Sequence, residues 1–182
     1  MFLITGATGN VGGEVLHAML DAGQDSGLLW TILRPSGFHS NAIQWVPQLR
    51  DGDVIREPFA EVPIAAIDPS DIAAVAALAL TEPGHDGASY RLTGPEPILP
   101  ADRVRILAGV LGRDLRLAPL SNAEARERMS ESMPGEYVEA FFSFFADGTY
   151  DDSRVLPTVR ELTGRDPRTF AQWAVAHASA FT

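Results

Sequence analysis

The 182-residue chain contains no cysteine, and all fourteen of its basic side chains are arginine, so lysine is absent as well. Without cysteine there can be no disulfide, thiolate metal site or cysteine nucleophile. The four histidines show no HxH or HxxxH spacing, so no metal site is expected. Without lysine there can be no Tyr-xxx-Lys pair, in which an ammonium lowers a tyrosine pKa enough for general-acid work near neutral pH. Tyr90, Tyr137 and Tyr150 therefore read as packing residues with wet hydroxyls. No apolar run approaches the roughly 20 residues that span a bilayer, and the start lacks the basic segment and cleavage site of a secretion signal. A cytoplasmic protein without membrane contact is expected. With 24 acidic side chains the net charge is −10, which argues against a nucleic-acid partner while allowing a locally basic pocket.

The composition that is present, 46% hydrophobic and 21% charged, suits one globular unit with a real core. Its first informative segment is Gly6-Ala7-Thr8-Gly9-Asn10-Val11-Gly12, between a short apolar run (Met1 to Thr5) and a helical pattern carried by Val11, Val15, Leu16, Met19 and Leu20. In that setting Gly6 allows a tight turn, Gly9 lets the backbone approach a phosphate, and Gly12 lets the helix lie against the sheet. The helix N-terminus then attracts the anion. Gly6, Thr8, Gly9, Asn10, Val11 and Gly12 are the candidate cofactor-binding residues here; a plain structural turn is the alternative.

Periodicity further along gives a strand at Leu28 to Leu33, a short helix or turn from Ser36 to about Gln48, and a polar hairpin-like stretch from Arg50 to Pro58. A buried strand follows at Val62 to Ile67, then a helix opened by Asp68-Pro69-Ser70-Asp71 and closed by Pro83-Gly84. Ala88 to Thr93 reads as a strand, Pro100 to Leu111 as a helix, and Arg113 to Ala118 as a strand or extended link. Helices are expected at Ser121 to Met133, Glu136 to Ala146 and Pro167 to Phe181. This is the pattern of an α/β layer, an abbreviated Rossmann-like parallel sheet with helices on both faces and a helical C-terminal cap. Residues 1–98 are expected to form the core and 99–182 the cap, packed as one unit.

Four segments in order, Gly6-Ala-Thr-Gly9-Asn-Val-Gly12, Thr31-Ile-Leu-Arg34-Pro35, Ile67-Asp68-Pro-Ser-Asp71 and Tyr90-Arg-Leu-Thr-Gly94-Pro95-Glu96, resemble the NmrA-like branch of atypical short-chain dehydrogenases. The resemblance implies NAD(P) binding, with activities from quinone or enone reduction to none, as in redox-sensing regulators. It implies that Pro35, Ser36, Gly37 and Phe38 line the cofactor and that His39 and Asn41 face the substrate.

The family pattern places three further strand-helix units between Gln24 and Gly27, roughly 75 to 90 residues at about 30 per βαβ unit. Without them, a right-handed crossover puts the strand at Leu28 to Leu33 beside the first, and Arg34 then ends it where NADP enzymes hold the 2′-phosphate. Arg34 as a solvated or ion-paired strand-end residue is the other reading. A competing topology keeps the strand in its family position and fills the gap from a second copy, because exposed parallel edges favour pairing; a homodimer is one expectation.

His39 is the titratable catalytic candidate, with a structural histidine as the alternative. Asp68 and Asp71 read as helix-start residues. Trp45 and Phe141, with Tyr137, Phe142, Phe144 and Phe145, offer an apolar substrate pocket or else the core of the cap. Asp151-Asp152 reads as a solvated loop or helix cap. The expected function is an NAD(P)H-dependent reductase of a small carbonyl, enone or quinone-like substrate, with NADP favoured over NAD. The alternatives are a non-catalytic NAD(P)- or small-molecule-binding module, a redox-independent isomerase or cyclase, and a chain that binds no cofactor.

Overall fold

The computed structural model describes the main chain of residues 2–5 and residues 29–181. Strand β1 (Phe2–Thr5) pairs directly and in parallel with β2 (Trp30–Pro35), Thr5 lying opposite Leu33. No strand stands between them, which is the first of the two topologies that the sequence allows. After β2 come a 3-10 helix (His39–Trp45), α1 (Val46–Asp51), β3 (Val54–Glu57), α2 (Pro69–Thr81), β4 (Ala88–Leu92) and α3 (Pro100–Leu111). The remainder is β5 (Arg116–Pro119), α4 (Asn122–Ser130), α5 (Gly135–Phe145), α6 (Thr158–Thr163), α7 (Phe170–Ala176) and a last 3-10 turn at Ala178–Phe181. Two small parallel sheets result, one ordered β1-β2-β4 and one pairing β3 with β5.

The helices begin where the sequence places caps. Asp68 accepts the Ser70 N–H at 2.7 Å and Pro69 fills the first turn of α2. Ser121 with Glu124, and Thr169 with Gln172, form reciprocal capping boxes on α4 and α7. α3 ends on Gly112, whose φ of 64° lies in the left-handed region that glycine adopts without strain.

The buried apolar residues fall into three clusters. Leu33 and Leu92 of the β1-β2-β4 sheet pack with Ile67, Val75 of α2 and Val159 of α6. A larger core joins Trp45, Leu49 and Ile55 to Val104, Leu107, Phe170 and Trp173, clamping the β3–β5 sheet between α1, α3 and α7. The small third cluster, Ala125, Val138 and Phe142, closes α4 onto α5. The helix expected at Val11 to Ala22, which would cover the other sheet face, lies outside the described residues.

Three sequence expectations need correction. Val62 to Ile67 is not a strand: its groups are divided among Ile98, Asp152, Gly94 and Gly37, giving isolated bridges in place of one ladder. Arg50 to Pro58 is not a hairpin but the end of α1 followed by β3, whose partner β5 arrives some 60 residues later. The helix expected at Pro167 to Phe181 begins at Phe170, because the preceding turn is spent on the Thr169 cap, and it ends at Ala176 before a 3-10 turn.

Gly94 is fixed by close approach. Its N–H reaches the Ala65 carbonyl at 2.9 Å, and a Cβ there would press against the Ala66 carbonyl well under 3.0 Å, so the backbone of residues 65–67 can lie against it only because no side chain intervenes.

Candidate functional site

The chain leaves β2 at the carboxyl end of the sheet, the edge at which open α/β sheets take ligands. The loop that follows, Pro35-Ser36-Gly37-Phe38, is tied down residue by residue. Ser36 N–H donates to the Leu92 carbonyl at 2.8 Å, Ile67 N–H to the Gly37 carbonyl at 2.8 Å, and His39 N–H to the Ile67 carbonyl at 2.9 Å. Gly37 N–H donates to Oδ2 of Asp152 at 3.1 Å. A Cβ at Gly37 would stand 3.2 Å from the Ile64 side chain, so the loop is also closely packed. Within it the Ser36 hydroxyl is buried without a hydrogen-bond partner among the described residues, whereas Phe38 is 38% exposed.

Arg34, Pro35, Ser36 and Phe38 therefore occupy one contiguous edge, and Asn41 stands exposed one turn on, its N–H on the Phe38 carbonyl. Arg34 is exposed and forms no ion pair among the described residues. The other candidates lie elsewhere. Trp45 is fully buried, with Nε1 donating to Oε2 of Glu57 at 2.8 Å and the Arg103 guanidinium 5.3 Å from its ring. Phe141 sits half-exposed on α5 beside Phe145. Gly6, Thr8, Gly9, Asn10, Val11 and Gly12 lie outside the described residues.

His39 is 2% exposed, edge-on to Phe170 at 5.5 Å. Its Nε2 donates to the Arg168 carbonyl at 3.2 Å, and since a carbonyl only accepts, Nδ1 is the bare nitrogen; it has no partner among the described residues. Burial holds its pKa below the ordinary imidazole value, partly offset by that hydrogen bond, so the ring is neutral at physiological pH. The same Arg168 donates its main-chain N–H to Asp71 at 2.6 Å and its guanidinium at 2.5 Å, pinning the approach to α7 against α2.

Three side chains outside the sequence-derived set prove important. Asp152, in place of a solvated loop residue, is buried and holds Gly37, while the exposed Asp151 caps the turn at Ser153. Glu57 and Arg103 are both buried, 3.7 Å apart; burial pushes the carboxyl up and the guanidinium down from their usual ranges. No local signal marks them, because each finds its partner across a long sequence separation. The Tyr90 hydroxyl meets Nδ1 of His85 at 2.8 Å, with His85 preceding β4, at the sheet end opposite the loop. An open cleft of about 350 Å³, lined by Gln48, Asp51, Asp53, Arg56 and Arg128, lies at the start of β3 and not at the loop.

No protein-family model matches the chain. It is 42% identical over 159 residues to the (4-alkanoyl-5-oxo-2,5-dihydrofuran-3-yl)methyl phosphate reductase of Streptomyces griseus, covering 87% of this chain and 56% of that protein. It is 36% identical over 160 residues to the NAD(P)H azoreductase of Xenophilus azovorans, with the same two coverages. The NADPH-dependent quinone oxidoreductase of Escherichia coli, solved with NADPH, superposes with a TM-score of 0.68 at 26% identity, over 90% of this chain and 57% of that one. The chain belongs to the NmrA-like branch of the NAD(P)-binding atypical short-chain dehydrogenases. This NmrA-like chain spans little more than half the length of the relatives it matches. Its α/β architecture, with a small parallel sheet and seven helices among the described residues, is that of a shortened Rossmann-like fold. No helix among the described residues is long and apolar enough to cross a membrane, and no group of histidine and carboxylate side chains there is arranged to hold a metal.

Proposed function

We propose that this NmrA-like chain is an NAD(P)H-dependent reductase of a small carbonyl, enone or quinone-like substrate, with NADPH preferred to NADH. The observation that carries the reading is the pair of alignments with named reductases, each extending over 87% of the chain. The residues fit a nicotinamide nucleotide. β1 and β2 run parallel with their carboxyl ends adjacent, the Gly-rich segment follows directly after Thr5 in the sequence, and the loop after β2 carries a buried hydroxyl that lacks a partner among the described residues.

In this reading Gly6, Gly9 and Gly12 let the backbone approach the pyrophosphate, with Thr8, Asn10 and Val11 beside them. Arg34 offers a guanidinium to a cofactor or substrate anion. Pro35, Ser36 and Phe38 line the cofactor, Phe38 contributing an apolar wall that excludes water, and Asn41 and Phe141 face the substrate. When bound, the nicotinamide supplies the hydride. His39, neutral and enclosed, braces the loop from behind, and the proton that completes reduction comes from water. Trp45 supports the same region from the core. The proposal takes in a cytoplasmic setting and a homodimer formed through the edge of β1, which is unpaired among the described residues; light scattering would detect it as twice the chain mass.

The test is titration of the full chain with NADPH and NADH, read by nucleotide fluorescence and thermal stability together. NADPH oxidation is then followed with quinones and enones. Micromolar NADPH binding that disappears in Gly9→Asp, with substrate-dependent oxidation, is the expected result. A folded chain that binds neither nucleotide refutes the reading.

A further inference from the structure

The cleft at the start of β3 lies away from the 35–38 loop and takes no part in the proposed reduction. It opens to about 350 Å³ where the end of α1, the turn into β3 and α4 meet, and its polar lining is Gln48, Asp51, Asp53, Arg56 and Arg128. That volume is at the lower end of the range that holds small molecules. The walls are tied in place. Gln48 spans the main chain of Arg56, its Oε1 accepting the N–H at 2.8 Å and its Nε2 donating to the carbonyl at 3.3 Å. Arg113 donates through Nε to Asp53 at 2.8 Å and through Nη2 to the Leu49 and Gly52 carbonyls at 3.0 and 2.9 Å, which joins the end of α1 to the turn.

The charges left over are what mark the cleft. Asp53 is neutralised by Arg113. Asp51, Arg56 and Arg128 are exposed and form no ion pair among the described residues. Nearby carboxylates are committed elsewhere. Glu124, which feels the Arg56 charge, accepts the N–H and hydroxyl of Ser121 at the start of α4, and Glu57, which feels Arg128, is buried against Trp45 and Arg103. Nη1 of Arg128 lies 3.5 Å from the Arg56 carbonyl, so α4 brings its guanidinium up to β3. The lining therefore holds two positive charges against one negative, in a chain whose net charge is −10. Two guanidiniums suit two carboxylates, because the arginine fork matches carboxylate geometry, and the Asp51 carboxylate suits an ammonium. A molecule with two carboxylates and one ammonium carries the inverse set and leaves the cleft neutral.

We propose that this cleft binds an acidic α-amino acid, with Arg56 and Arg128 receiving its two carboxylates and Asp51 its ammonium. The site is independent of the reductase reading and shares no residue with the edge proposed for the nucleotide.

The experiment is a calorimetric titration of the full chain with L-glutamate at constant ionic strength, with sodium chloride as the control. Saturable binding at a single site is expected, weakened about tenfold in Arg128→Gln and likewise in Asp51→Asn, the scale of one lost charge-assisted contact. Both side chains are exposed, so both variants keep the fold. Glutarate, which has the two carboxylates and no ammonium, should bind the unaltered chain about tenfold more weakly than glutamate does, for the same reason. No saturation by about 10 mM glutamate overturns the proposal. Undiminished affinity in Arg128→Gln, or glutarate bound as tightly as glutamate, overturns it as well. Displacement of glutamate by NADPH does the same, since the ligand would then occupy the edge proposed for the nucleotide. A chain that binds glutamate through Arg128 and Asp51 but neither binds nor oxidises NADPH refutes the reductase reading alone.

Discussion

Replacing Asp71 should loosen the attachment of α7 to the rest of the molecule, by an amount that the contacts allow to be worked out. The carboxylate is 3% exposed and accepts two hydrogen bonds from Arg168, one from the main-chain N–H at 2.6 Å and one from the guanidinium at 2.5 Å. A main-chain donor on a buried carboxylate contributes about 2 kcal/mol. The guanidinium arm is 39% exposed, so solvent screening holds its share below about 1 kcal/mol. An acid in the first turn of α2 adds about 0.5 kcal/mol through the helix dipole. Asp71→Ala should therefore cost about 3 kcal/mol, and Asp71→Asn, which keeps an acceptor for the N–H, about 1 kcal/mol. Arg168→Ala, which removes only the screened arm, should cost less than either. Urea unfolding followed by tryptophan fluorescence measures all three, since Trp173 lies on α7. If Asp71→Ala shifts stability by less than about 0.5 kcal/mol, or if Arg168→Ala costs as much as Asp71→Ala, the assignment of the anchor to the main-chain contact is wrong.

Acid stability should carry a His39 signature. Burial lowers its folded pKa beneath the ordinary value of 6.5, so the unfolded chain takes up a proton that the folded one refuses. Its contribution is fully present above pH 6.5 and declines as the pH falls toward the lowered value, and His39→Phe should flatten that part of the stability profile; a profile unchanged by the substitution removes the argument. Gly94→Ala should destabilise by about 2 kcal/mol or more through contact with the Ala66 carbonyl, read as a lower melting temperature, and an unaltered melt would show that residues 65–67 can retreat.

Those parts of the fold that rest on local signals were legible in the sequence. Asp68 caps α2 because a short polar side chain reaches its own N-terminal N–H groups, whereas the Thr169 cap went unread and the last helix was expected three residues too early. β2, β4, α2 and α3 follow from periodicity and from their Pro and Gly boundaries. The 35–38 loop was found through the resemblance alone. What local pattern could not show was pairing at a distance. The apolar run at 62–67 is buried over its second half as a strand would be, but its distant partners come from three different segments. β3 looked polar and turn-like because only alternate residues face the core, with Ile55 and Glu57 inward. Asp152 read as a solvated loop or cap residue and Glu57 went unmarked because a carboxylate in a polar stretch ordinarily faces water, and only the fold brings Gly37 and Trp45 to them. His39 stood out as a lone titratable group, and nothing near it in sequence foretold that Phe170 would enclose it.

The main chain of the 35–38 loop has consequences for how such a protein can change. The N–H groups of Ser36, Gly37 and His39, and the carbonyls of Gly37 and Phe38, are all committed to partners within the molecule. What this edge offers a ligand is consequently left to side chains hung on a fixed frame. Under the proposed function, exchanging the hydroxyl at Ser36 or the ring at Phe38 changes the lining while the frame keeps its bonds, so new preferences can be sampled here at little risk to folding. Gly37 and Asp152 have no such latitude, since altering either releases the frame itself.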